Sequence, residues 1–159
     1  MGYRMKGLNR TYLPITYDIT EKTILILGGH SSALKKIRIL SAYTERFHVV
    51  ARDVCDCVKE IGIPYVEKPI EASDLDGFQI LYSCTNDRDL NRQIVQWGHD
   101  RGMLVNIHDD PELCDFVSPA IYKEKNITVA VSTNGEDSLQ AISIRNKLKQ
   151  FLETEDGFP

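Results

Sequence analysis

Apolar and polar positions along this chain alternate in blocks rather than residue by residue. Thr23–Leu27, TILIL, is an unbroken and mostly β-branched apolar run, the pattern of a strand buried on both faces of a parallel sheet. Similar short runs recur at Phe47–Ala51 (FHVVA), Ile63–Glu67, Phe78–Ser83 (FQILYS), Met103–Ile107 and Ile127–Ser132 (ITVAVS). Each predicts a strand. Between them the period changes. Ala33, Leu34, Ile37 and Leu40 recur at helical spacing and predict a helix from the Ser31–Ser32 start to about Tyr43. Val54–Ile61 reads as a short helix stopped by Gly62, and Arg88–Asp100 as a longer one ended by Gly102. Asn134-Gly135 turns the chain into a last helix, Ser138–Glu153, with Leu139, Ile142, Leu148 and Leu152 as its inward stripe. Strands alternating with helices imply an α/β fold, a doubly wound parallel sheet.

In such a sheet, ligands bind past the carboxyl ends of the strands, so the strand exits are the places to look for chemistry. After the first strand, Gly28, Gly29, His30, Ser31, Ser32 and Ala33 follow. Against G-x-G-x-x-G/A the first and last positions fit, while His30 stands where glycine lets a backbone approach pyrophosphate. Strand, glycine turn and helix start together aim backbone N–H groups at a phosphate; a glycine pair also serves as a plain tight turn. The second strand ends Ala51, Arg52, Asp53. Asp53 suits ribose hydroxyls and Arg52 suits a 2′-phosphate, and both suit a solvated loop equally well. Cys84, Thr85, Asn86 and Asp87 follow the fourth strand; they can line a ligand site, and Asp87 can equally cap the next helix. His108, Asp109, Asp110 and Pro111 follow the fifth, either as an acid/base pair or as an Asp-Pro turn.

Composition narrows the function classes. A length of 159 residues predicts one domain, 1–153, followed by a loose tail, Thr154–Pro159. The net charge of −4 argues against a general role on nucleic acid or a membrane surface. No apolar run reaches the roughly 20 residues of a membrane span. MGYRMKGLNR lacks the apolar core of a signal peptide, so a cytoplasmic protein is expected. Four cysteines, at 55, 57, 84 and 114, do not form a disulfide framework. Cys55-x-Cys57 is too tight for zinc spacing and has no second pair, so free thiols and no metal site are expected.

Taken in order, YLPITYDITEKTILILGG, VVARDV, SCTND, VNIHDDP, DFVSPAI, ITVAVSTNG and IRNKL resemble one family from about Tyr12 to Leu152. It is the sirohaem synthase N-terminal family, the precorrin-2 dehydrogenases with or without sirohydrochlorin ferrochelatase activity. The resemblance implies a Rossmann-like domain, lacking the family's C-terminal helical segment, that binds NAD and oxidises precorrin-2 to sirohydrochlorin. It places cofactor contacts on Gly28, Gly29, His30, Ser31, Ser32, Arg52, Asp53 and Thr85, and makes Asp109 the residue implicated in dehydrogenation and chelation. A homodimer, with a separate chelatase as a further partner, is also implied. Lys123, Lys125 and Arg145 are candidate cations for the anionic macrocycle. Two departures stand out. His30 replaces a third consecutive glycine, and the family's S-x-G-G-x-S-P stretch appears as Ser132 to Ser138 with one glycine, the following serine and the proline lost. These departures motivate two alternatives: a non-catalytic tetrapyrrole carrier, and a chelatase that has lost its NAD site.

Overall fold

The computed structural model describes residues 10–154. Where the sequence places 1–153 in one domain, the described residues divide by contact into two compact units, one spanning Ile15–Phe116 and the other combining residues 10–14 with 117–154.

The first unit is a Rossmann-like doubly wound sheet. Its strands are β1 (Ile24–Leu27), β2 (Phe47–Ala51), β3 (Tyr65–Glu67), β4 (Ile80–Ser83) and β5 (Leu104–Ile107), in the order β3-β2-β1-β4-β5 and parallel throughout. The period-2 geometry of a strand explains why β1 is apolar without a break. Ile24 and Ile26 point to one face, where they pack with Val49, Ala33 and Ile37 of helix α1 (Ser31–Leu40), and Val58 of helix α2 (Asp56–Lys59). Leu25 and Leu27 point to the other face, where they pack with Val50, Leu81, Val105 and Ile94 of helix α3 (Arg88–His99). All four β1 side chains are buried. Because α1 covers one face and α3 the other, the chain reverses its winding between the neighbouring strands β1 and β4. That is where a doubly wound sheet opens a crevice.

The helices are shorter than the apolar spacing predicts. Helix α1 ends at Leu40, and α2 occupies four residues. Ser31 and Ser32 are the first residues of α1 rather than its cap; the cap position is His30, whose side chain makes no capping bond. Between β3 and β4 the chain makes a single 3-10 turn, Ala72–Leu75.

The second unit corrects the predicted sixth strand. Ile127–Val131 (β7) does not extend the parallel sheet. It pairs antiparallel with β6 (Ala120–Glu124) through the turn at Lys125, whose φ of 50° is left-handed. An apolar run of five residues is compatible with either neighbour, and β6 was hidden because Ala120–Glu124 has no comparable run. Helix α4 (Ser138–Leu152) packs against both strands of this hairpin. The expected inward stripe is also corrected: Leu139, Ile142 and Leu148 are 69%, 41% and 38% exposed, and only Ala141 is fully buried. Arg145, one turn on, donates to the Ile121 carbonyl at 2.6 Å, and Lys149 reaches over the Tyr122 ring. On the hairpin side α4 thus presents Ala141, Arg145 and Lys149. Residues 155–159, most of the tail expected to be loose, and the first nine residues of the N-terminal stretch lie outside the described residues. Among the described residues, no helix is long and apolar enough to cross a membrane.

Candidate functional site

At the carboxyl edge of the sheet, the exits of β1, β2 and β4 line one open cleft of about 320 Å³. All eight residues singled out for the cofactor meet there: Gly28, Gly29, His30, Ser31, Ser32, Arg52, Asp53 and Thr85. They lie far apart in sequence and converge because three adjacent parallel strands end on one edge.

The glycine turn is set by packing as much as by conformation. Gly28 has φ +115°, a region that L side chains rarely adopt, and a Cβ there would lie 3.0 Å from the carbonyl carbon and oxygen of Cys84. At Gly29 a Cβ would sit 2.2 Å from the Asp53 carbonyl oxygen and 2.8 Å from the Val54 Cα. The turn therefore presses directly on the segment leaving β2. Two bonds hold that segment: the Cys55 N–H donates to the Gly29 carbonyl at 2.8 Å, and the Val54 N–H donates to Glu67 Oε1 at 3.0 Å. The Val54 bond and then the Lys59 ammonium, 3.0 Å away, hold the Glu67 carboxyl below the usual carboxylate range.

His30 is exposed and its backbone is extended, with φ −116° and ψ −160°. Any residue adopts that conformation, so the backbone itself does not require glycine at this position. Because His30 lends no side-chain cap, the first-turn N–H groups of α1 are left to a ligand or water. A glycine turn without room for a Cβ, leading to a helix start with no side-chain cap, fits a dinucleotide phosphate. Arg52 and Asp53 are exposed on the cleft wall, and their side chains hold no hydrogen bond or ion pair among the described residues.

The β4 exit contains a residue that sequence reasoning missed. Asn91 lies in α3 and is buried; its Oδ1 accepts from Ser83 Oγ at 2.7 Å and from Thr85 Oγ1 at 3.1 Å. Its Nδ2 donates to the Thr85 carbonyl at 3.1 Å. One interior amide thus fixes both the hydroxyl and the peptide of Thr85. A polar residue on the helix face that carries Ile94 was the available signal. Asp87 caps α3, accepting from the N–H groups of Asp89 and Leu90, as the structural alternative for it anticipates. Burial pushes the Cys84 thiol up to about 11.

Asp109 is not among the residues lining this cleft. It follows β5, beside the β4 exit, because the His108 N–H donates to the Ser83 carbonyl at 2.8 Å. Its φ of 59° is left-handed, and its side chain is 87% exposed, with Oδ2 3.4 Å from His108 Nε2. The loop behind it is tied down. Cys114 Sγ donates to the Ile107 carbonyl, Asn106 Nδ2 to the Phe116 carbonyl, and Asp115 accepts the Val105 N–H. A non-glycine residue held left-handed by a well-anchored loop is the kind of strain that gathers at functional sites. Lys36 was also missed. Its ammonium lies 4.7 Å from the centre of the Tyr82 ring, and burial lowers its pKa, partly offset by Cys84, Cys114 and Asp109.

The expected free thiols at Cys55 and Cys57 are corrected: the two are joined in a disulfide. A Cα separation of 5.3 Å lies within the range a bridge needs, which two residues apart in sequence can meet when one precedes a helix and the other lies in its first turn. The candidate cations Lys123, Lys125 and Arg145 fall in the second unit. Lys123 donates to the Lys125 carbonyl, and Arg145 is committed to Ile121. The altered Ser132–Ser138 stretch forms a helix cap, with Asp137 accepting the Gln140 N–H at 2.8 Å.

A family described as putative NAD(P)-binding matches residues 15–120. Among curated relatives, the siroheme synthase of Vesicomyosocius okutanii subsp. Calyptogena okutanii (strain HA) is 34% identical over 145 residues, covering 89% of this chain and 31% of the relative. The siroheme synthase of Sodalis glossinidius (strain morsitans) is 31% identical over 147 residues, covering 90% of this chain and 31% of the relative. The chain thus spans less than a third of the length of these relatives. Among solved structures, SirC, a precorrin-2 dehydrogenase, superposes with a TM-score of 0.72 at 22% identity, covering 89% of this chain and 76% of that one. This likeness is one of fold.

Proposed function

The chain belongs to the putative NAD(P)-binding family matched by residues 15–120, and from that premise we propose that it is an NAD-dependent precorrin-2 dehydrogenase acting in sirohaem synthesis. The observation that carries the reading is the convergence of three strand exits on one cleft around a glycine turn that has no room for a side chain. In this reading the turn and the first-turn N–H groups of α1 receive the pyrophosphate. Asp53 meets the ribose hydroxyls, with Arg52 beside it available to a 2′-phosphate. Thr85, fixed by Asn91, borders the nicotinamide end. When bound, the nicotinamide supplies the hydride acceptor. Asp109 takes the proton that leaves with the hydride, a role its exposed carboxylate suits. Sirohydrochlorin ferrochelation, if the chain carries it, uses the same carboxylate for the pyrrole N–H protons. The exposed Leu139, Ile142 and Phe151 of α4 support a homodimer.

The test is calorimetric titration of NAD and of NADP into the purified protein, followed by an anaerobic assay with precorrin-2. Micromolar NAD binding and NAD-dependent formation of sirohydrochlorin are expected. In the same assay Asp109→Asn lowers turnover by at least about a hundredfold, the scale of a lost acid/base group, and leaves the NAD affinity unchanged. Absence of binding at millimolar dinucleotide refutes the oxidoreductase reading. Tetrapyrrole binding without turnover would then identify a carrier.

A further inference from the structure

We propose that Cys55 and Cys57 form a thiol–disulfide exchange site that takes a dithiol reductant, and that its state sets how firmly the adjoining glycine turn holds the dinucleotide. The second half rests on the cleft being the cofactor site.

The pair is bridged, and both residues are half-buried, within reach of a reagent. Cys55 directly follows Val54 and the cleft-lining segment Ala51–Asp53. Its own N–H is the donor to the Gly29 carbonyl, and Gly29 lies so close to Asp53 and Val54 that a single Cβ would collide with them. A shift of the Cys55 backbone therefore has no slack to absorb it before it reaches the turn. On its other side, Cys55 carries the start of α2: its carbonyl accepts the Val58 and Lys59 N–H groups. Helix α2 is only four residues long and lacks a side-chain cap at Cys55. The bridge from Cys57 back to Cys55 is the covalent constraint on this short helix, and opening it leaves α2 held by its hydrogen bonds, the Lys59–Glu67 ion pair and the burial of Val58.

The chemistry is selective for this pair. Cys114 is buried, with its thiol engaged by Ile107. Cys84 is kept protonated at neutral pH by burial and so supplies little thiolate for exchange. Exchange proceeds when a thiolate of the reductant attacks one sulfur of the bridge. The S–S bond breaks, a mixed disulfide forms, and the displaced cysteine takes up a proton. The reductant's second thiol then releases the other cysteine. Two electrons and two protons pass to the protein, and the reductant leaves as its own disulfide.

The test uses the purified chain before and after treatment with dithiothreitol, with iodoacetamide labelling read by peptide mass spectrometry. Labelling of Cys55 and Cys57 is expected only after reduction, and labelling of both without reductant overturns the proposal. NAD is titrated into both states. Reduction is expected to weaken binding about fivefold, the factor that one lost backbone hydrogen bond corresponds to. The double variant Cys55→Ser/Cys57→Ser should match the reduced protein whether or not dithiothreitol is present. Equal affinity in the two states overturns the coupling. Failure of NAD to bind in either state refutes the dehydrogenase reading instead, and hydrogen exchange then decides the inference. Faster exchange at Cys55–Lys59 on reduction supports it, and unchanged exchange overturns it.

Discussion

The two units use the same kind of apolar signal to opposite ends. In the first, β1 is covered by α1 on one face and by α3 on the other, and each of its four apolar side chains is buried. In the second, β7 is an equally apolar strand of a two-stranded hairpin, yet it is largely exposed, and Leu139, Ile142, Leu148 and Phe151 of α4 are exposed while Ala141 is buried. An apolar run therefore marks burial only where two layers are available to cover it. The first unit closes its own core, while the second presents apolar surface, which is why the dimer is proposed there.

Paired truncations give the comparison its sharpest test. Leu25→Ala, in the interior of the first unit, should cost about 2–5 kcal/mol, because the void is bounded by packed strands. Urea unfolding with an unchanged m-value measures it. A cost below about 1 kcal/mol would contradict the full burial of Leu25. Next in size is Asn91→Leu, which strands the buried Ser83 hydroxyl and frees the Thr85 peptide. A loss of about 1–3 kcal/mol is expected, together with weaker NAD binding, and Asn91→Asp should retain the hydroxyl bonds but not the grip on the Thr85 carbonyl. Unchanged NAD affinity in Asn91→Leu would remove Thr85 from the site.

The Glu67 contact gives a smaller, pH-dependent effect. Its carboxyl is held low by the Val54 N–H and Lys59, so its contribution is present above the ordinary carboxylate range and lost as pH falls through the depressed folded-state value. In Glu67→Gln the acid limb of the stability curve should be flatter than in the parent protein, as read by thermal melts between neutral pH and the acid transition. Smallest of all, Leu139→Ala on α4 should change monomer stability by less than about 0.5 kcal/mol. If the helix mediates dimerisation, sedimentation should show a weaker dimer at the same time. A large loss of stability in a protein that remains monomeric would contradict the exposure of this residue.

Much of the first unit was legible in the chain. Five of the predicted strands appear within two residues of their expected bounds, because a run of β-branched residues between turn formers has few other uses in a parallel sheet. The eight cleft residues were named by the family resemblance, and they share one cleft because adjacent parallel strands deliver their exits to one edge. Less visible were the partners. Nothing local to Asn91 announces that it faces Thr85, and the close spacing of Cys55 and Cys57 argues against zinc without saying that they bond to each other. His30 reads as an obstacle in the fingerprint, and the structure adds that its backbone is extended and its side chain exposed at the cleft rim.

What the sequence determined by itself was the set of water-averse segments, their order and the residues at their ends. From these follow the α/β class, the winding of the first unit and the position of the cleft. Only the tertiary structure decided what covers each segment: that Ile127–Val131 pairs with Ala120–Glu124, that α4 meets its hairpin through Ala141, Arg145 and Lys149, and that Gly29 lies against Asp53. The physical reason is that hydrophobic patterning is a property of one residue against water. Burial, hydrogen-bond satisfaction and steric fit are properties of pairs, and the members of those pairs are brought together only by the folded chain.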